Sequence, residues 1–133
     1  MSFPKWFAAA LAAFALSLTS LGASAAEPRP YDAQAFAAAQ AGGKPILVEV
    51  DAPWCPICAK QRPILAELEK SAELSDLVVF TVDFDSQKDL LRQFGVQMQS
   101  TLIVFNGKAE KGRSTGATDP GVIKALLLKA KGA

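Results

Sequence analysis

Two stretches of the chain are almost continuously apolar, Ile46-Leu47-Val48-Glu49-Val50 and Leu102-Ile103-Val104-Phe105, the second opened by Thr101. Short apolar runs rich in β-branched residues suit central strands covered on both faces. A third strand is predicted over Leu77–Asp83. Asn106-Gly107 is a strong hairpin signal leading into a fourth strand, about Glu110–Ser114. Between these runs the pattern turns helical. Asp32 is placed to cap an Ala-rich helix over Ala33–Ala41 that Gly42-Gly43 stops. A second helix runs from about Pro56 to Lys70 with Pro63 inside it, where a proline kinks the backbone. Ser86, with Asp89 as capping-box partner, starts a short helix that reaches Phe94 and ends at Gly95. Thr118 or Asp119 caps the last helix, about Pro120–Ala130.

The order α-β-α-β-α-β-β-α predicts an α/β fold. A parallel βαβ unit comes first and an antiparallel hairpin last, with helices on both faces. The expected sheet has four strands in the order second, first, third, fourth. Glu27-Pro28-Arg29-Pro30 reads as a stiff lead-in, so residues 27–43 form an N-terminal lead-in and helix and residues 44–133 the main domain. Phe84, Phe94 and Phe105 are core candidates, and Asp83 and Asp85 are read as turn and cap residues.

Met1–Ala26 has a different character. Lys5 precedes the apolar run Trp6–Leu18, and Ala23-Ser24-Ala25 supplies a small-x-small cleavage pattern. The run falls short of the ~20 apolar residues a membrane span needs. Residues 1–26 are therefore expected to be a secretory signal peptide cleaved after Ala25 or Ala26, with an uncleaved anchor as the alternative. Export, to a bacterial periplasm, is the expected outcome, with no membrane association after cleavage.

Charge and composition then narrow the chemistry. The 133 residues hold 14 Lys plus Arg and 13 Asp plus Glu, a net charge of +1 that argues against a nucleic-acid partner. With no histidine, Ser-His-Asp and Cys-His catalysis, HExxH zinc sites and Cys2His2 fingers are excluded. Two cysteines cannot build a four-thiolate metal site within one chain.

Those two cysteines stand in Trp54-Cys55-Pro56-Ile57-Cys58, at a strand-to-helix junction. Cys55 falls at the N-cap and Pro56 at the first helical position, where a missing N–H is harmless. The free N–H groups of Ile57 and Cys58 are expected to point at the Cys55 sulfur. With the helix dipole they would lower its pKa from ~8.5 toward neutrality. Cys58, one turn inside, should be more buried and held as a thiol. The pair then has an attacking sulfur, Cys55, and a resolving sulfur, Cys58. Two alternatives remain open: a structural disulfide, though so short a loop gains little chain entropy, and a metal shared by four thiolates of a dimer.

The mature chain resembles the thioredoxin family over about residues 44–130. The resemblance rests on WCxxC after a strand, Pro63, Phe94-Gly95, Asn106-Gly107 and Gly116. It implies a thioredoxin-like fold and thiol–disulfide exchange with partner proteins, without cofactor or metal. Pro56-Ile57 is similar to the pair in some exported cytochrome c maturation thioredoxins, although their characteristic insertion is absent. The resemblance also aligns Glu49 with the family's buried acid, usually Asp, which accepts the proton of the resolving cysteine. Burial should raise such a carboxyl's pKa. Trp54, Pro56, Ile57, Ser100 and Thr101 form the expected active-site rim.

The clearest departure is at Ser100, where the family has a cis-proline facing the attacking cysteine. There is no proline between Pro63 and Pro120. A cis bond without proline costs about 2.5–4 kcal/mol, so Gln99–Ser100 is expected to be trans. The N–H or hydroxyl of Ser100 would then be free to hydrogen-bond the Cys55 thiolate, and Ser100→Pro would raise general reductase activity. The expected protein is an exported thiol–disulfide oxidoreductase, acting as a monomer with an unidentified electron donor or acceptor. Lacking a histidine between its cysteines, it should be a reductant or isomerase rather than a strong oxidant. The rival expectation is a non-catalytic module on the same fold, holding a metal or partner through the CxxC pair.

Overall fold

The computed structural model describes residues 26–132. In chain order these form β1 (Arg29–Pro30), α1 (Ala33–Ala41), β2 (Pro45–Asp51), α2 (Pro56–Glu69), a 3₁₀ turn at Ala72–Leu74, β3 (Val78–Asp83), α3 (Lys88–Phe94), β4 (Thr101–Asn106), β5 (Ala109–Thr115) and α4 (Pro120–Lys129). The expected signal peptide lies almost wholly outside the described residues.

The strands make one mixed sheet in the order β1-β3-β2-β4-β5. β2 runs parallel to β3 and antiparallel to β4, and β4 continues antiparallel into β5. The expected four-strand order therefore holds, with one correction. A fifth strand is present, because Arg29 and Pro30 of the supposed lead-in pair in parallel with Phe80 and Thr81. An edge is where the ladder tolerates proline, since no neighbour requires its missing N–H. Tyr31 N–H continues the ladder to the Thr81 carbonyl at 2.9 Å.

Alternation along β2 sorts its side chains to two faces. Ile46, Val48 and Val50 join Phe36, Phe80, Leu91 and Ile103 on one side. Leu47 joins Leu65, Val79, Leu102, Ile123 and Leu127 on the other. Glu49 and Asp51 share the parity of Leu47 and so face α2, which matters for the site below.

Local signals explain most element ends. Asp32 Oδ1 accepts from Ala35 N–H at 2.7 Å, and Asp119 Oδ1 from Val122 N–H at 2.9 Å, each satisfying an orphan donor of its helix. Gly107, at φ 56°, opens the β4–β5 turn in a conformation that glycine adopts without strain. Asn106 ends β4 instead of sitting in the turn, and its amide donates to the Ala130 carbonyl at 2.8 Å.

The expected cap of α3 is corrected. Gln87 occupies the N-cap and makes no side-chain capping bond. Ser86 is drawn the other way, since its N–H and hydroxyl both donate to Asp83 Oδ1, at 2.7 and 2.8 Å. Asp85 N–H donates to the same oxygen at 2.9 Å. These donors hold the Asp83 carboxyl below the usual carboxylate range. Asp83 is thus the turn residue anticipated. Asp89, the supposed capping-box partner, pairs with Arg92 instead.

Candidate active site

Strand β2 ends at Asp51, and the turn Ala52-Pro53-Trp54 carries the chain to Cys55, whose N–H donates to the Ala52 carbonyl at 3.1 Å. Cys55 is the N-cap of α2, with Pro56 in the first turn. Its sulfur accepts from Cys58 N–H at 3.1 Å. The two cysteines are joined by a disulfide across a Cα–Cα distance of 5.2 Å.

Two expectations about this pair are corrected. Only Cys58 N–H, and not that of Ile57, reaches the Cys55 sulfur among the described hydrogen bonds. An N-cap side chain accepts from the N–H of either N2 or N3, and here the N3 residue, Cys58, is the donor. Nor does burial separate the sulfurs. Cys55 is 1% exposed and Cys58 2%, both packed with Ala52 under half-buried Ile57 and Phe84. Position on the helix, rather than exposure, distinguishes the two.

The rim is assembled from distant segments. Trp54 is 57% exposed, and its Nε1 donates to Asp85 Oδ2 at 2.8 Å while its ring meets the edge of Phe84. Asp85 is therefore a partner of the active-site tryptophan and not simply a turn residue. Pro56 is exposed beside it.

Across the sheet, Ser100 and Thr101 are both buried. Every peptide bond in the described residues is trans, as expected for Gln99–Ser100. Ser100 has φ 59°, in the left-handed region that a non-glycine residue enters at a cost of roughly 1–2 kcal/mol. Its N–H donates to the Val50 carbonyl at 2.9 Å and is not free for Cys55, because β2 lies alongside and claims it. Among the described residues its hydroxyl makes no hydrogen bond to either sulfur. Thr101 Oγ1 donates to the Met98 carbonyl at 2.8 Å, fixing the loop that ends at β4.

Three participants were not singled out from the sequence. Gln61 is buried, and its Nε2 donates to the carbonyls of Ser100 at 3.2 Å and Ala117 at 2.9 Å. It ties α2 to the loop that carries Ser100. Arg62 grips Asp51 through two bonds, at 3.0 and 3.1 Å, and also donates to the Ala52 carbonyl. Glu69 is buried on the inner face of α2. For Gln61 and Glu69 the signal was present, since Cys58, Gln61, Leu65 and Glu69 follow the i, i+3, i+7, i+11 spacing of a helix stripe. For Arg62 no sequence signal links it to Asp51.

Glu49, 8% exposed, lines one cleft with Arg62 and Glu69. Loss of solvent pushes its carboxyl up to about 7, helped by the Asp51 charge and opposed by Arg62. A carboxyl in that range can take up or release a proton near neutral pH.

A thioredoxin family profile matches residues 29–129. The protein disulfide-isomerase tigA of Aspergillus niger is 48% identical over 71 residues, 52% of this chain and 20% of that protein. A thioredoxin H-type of Brassica campestris is 35% identical over 92 residues, 69% of this chain and 72% of that protein. The crystal structure of Trxlp from Edwardsiella tarda superposes with a TM-score of 0.74 at 44% identity, covering 76% of this chain and 98% of the other. The chain spans about a fifth of the length of the disulfide-isomerase relatives it matches. With a five-stranded mixed sheet and a WCPIC disulfide at the start of α2, the chain belongs to the thioredoxin family.

Proposed function

We propose that this chain is an exported thiol–disulfide oxidoreductase that exchanges disulfides with partner proteins, nearer a reductant or isomerase than a strong oxidant. The observation that carries the proposal is the Cys58 N–H directed at the Cys55 sulfur across the first turn of α2. Once the pair is reduced, the same N–H and the helix dipole favour the thiolate at Cys55 over one at Cys58. Cys55 then attacks a substrate disulfide, forming one S–S bond and expelling one substrate thiolate. Cys58 loses its proton and attacks the Cys55 sulfur. The enzyme disulfide forms, the second substrate thiolate leaves, and two electrons have passed to the substrate.

Export is proposed on the pattern of Met1–Ala26, and an oxidising compartment is one where such a pair meets protein disulfides. The names of the relatives, disulfide-isomerase and thioredoxin, support the reductant or isomerase side. The test uses single cysteine variants. Cys58→Ser should accumulate mixed disulfides with substrate proteins, since attack proceeds and resolution cannot, while Cys55→Ser should trap none. Equal trapping by both would overturn the assignment of attacker and resolver. A purified protein that retains a metal on its two thiols and reduces no disulfide would favour the binding-module alternative.

A further inference from the structure

The inner stripe of α2 ends on an acid where a leucine would be ordinary. Glu69 is 3% exposed, and its Oε1 is buried with no hydrogen-bond partner among the described residues. Leaving a carboxyl in such a place costs several kcal/mol if it is charged, so the group stays neutral or finds a polar partner. The space in front of it is a cleft of about 270 Å3 whose lining includes Pro28, Glu49, Asp51, Arg62, Glu69 and Thr81. Water occupies roughly 30 Å3 per molecule in the liquid, so this cleft has room for bridging waters between the two glutamates.

The charges around the cleft do not balance. β2 contributes Glu49 and Asp51, α2 contributes Arg62 and Glu69, and β3 contributes the uncharged Thr81. From the lead-in, Glu27 adds a further negative charge felt at Glu69. Among the described residues lining the cleft Arg62 is the one cation, and it donates to both oxygens of Asp51 and to the Ala52 carbonyl. Burial and the Asp51 charge outweigh the pull of Arg62 on Glu49, and Glu69 has no ion pair among the described residues, so in this cleft two neighbouring carboxylates cannot both ionise freely.

We propose that Glu49 and Glu69 act as one coupled acid pair that retains a single proton near neutral pH and exchanges protons with the resolving cysteine as a unit. This rests on the exchange reaction proposed above. In that reaction the Cys58 thiol proton passes to the carboxylate of the pair as the Cys58 sulfur attacks Cys55. It leaves through the cleft to water once the substrate thiolate has departed. Glu69 is a positioning residue here, acting on the sulfurs only through Glu49. The burial of both groups agrees with this, since the carboxyl of Glu69 is pushed up to about 8 by desolvation first and then by the charge on Glu49.

Carbon-13 carboxyl titration of the reduced full chain, with Glu69→Gln and Glu49→Gln, tests the pair. In the wild type each of the two resonances should follow two ionisation steps. In Glu69→Gln the Glu49 resonance should follow one step only. In Glu49→Gln the Glu69 midpoint should fall by about one pH unit, a tenfold loss of proton affinity. The upper inflection in the pH profile of mixed-disulfide resolution should disappear in Glu69→Gln while trapping by Cys55 is unchanged. Wild-type resonances that each follow a single step, with midpoints that stay unshifted in both variants, would overturn the pair. If Glu69→Gln does not fold, Glu69→Met, which suits the apolar stripe, allows the same comparison. Failure of Cys58→Ser to trap any substrate would refute the exchange reaction instead, and it leaves the carboxyl titrations untouched.

Discussion

Replacing Glu49 with glutamine should stabilise the protein by an amount that grows with pH. In the unfolded chain a glutamate releases its proton near its ordinary value of 4.5, whereas in the folded protein Glu49 holds it to about 7. Below pH 4.5 both states are protonated and the carboxyl adds no pH dependence. Between 4.5 and 7 the folded state keeps a proton that the unfolded state has lost, so the stability associated with the bound proton drains away. It is gone above 7, where folding must bury a carboxylate that is already ionised. A gap of two and a half units corresponds to about 3 kcal/mol. The variant avoids that loss. Burying an amide in place of an acid adds a constant that is the same at every pH, so only the pH-dependent part of the difference reports the carboxyl. Removing the charge of Glu49 also eases ionisation of Glu69, which adds to the difference in the same direction. The assay is urea unfolding of wild type and Glu49→Gln, followed by tryptophan fluorescence at about pH 4, about pH 6 and about pH 8.5. A stability difference that stays constant across that range to within about 0.5 kcal/mol would refute the assignment of a buried, proton-holding Glu49.

Other expectations follow from individual contacts. Ser100→Pro is now expected to destabilise the fold by about 2 kcal/mol or more, not to raise reductase activity, because Ser100 sits at φ 59° and its N–H is bound to Val50. Ser100→Gly, which accepts that φ, should stay within about 1 kcal/mol of wild type in the same unfolding assay, and equal losses for the two would refute the backbone explanation. Gln61→Ala should lower stability by about 1–3 kcal/mol, because the Ala117 carbonyl loses its donor while the Ser100 carbonyl keeps Gly116 N–H. An unchanged thermal midpoint would show that this tie carries no load. A glutathione titration should place the reduction potential below about −180 mV, and a value near about −120 mV would make the protein a strong oxidant instead.

Much of this protein was written in local sequence. The apolar runs at Ile46–Val50 and Leu102–Phe105, the capping aspartates Asp32 and Asp119, and WCPIC at the mouth of a helix depend on neighbours within a few residues. Periodicity and capping chemistry read such signals directly. The sheet order followed from the same information plus the handedness of βαβ connections. What sequence left undecided depends on partners far along the chain. Arg29 and Pro30 become a strand only because β3 offers an open edge. Ser86 abandons the α3 cap because Asp83 is within reach. Ser100 spends its N–H on Val50, fifty residues away, and thereby loses the role beside Cys55 that its chemistry suggested. Glu69 could have been noticed as a charge in a buried stripe. Its meaning came only from the fold, which sets it in one cleft with Glu49 and pairs the cation of that cleft, Arg62, with Asp51. Desolvation and charge balance are properties of that shared space, and no single segment of the chain encodes them.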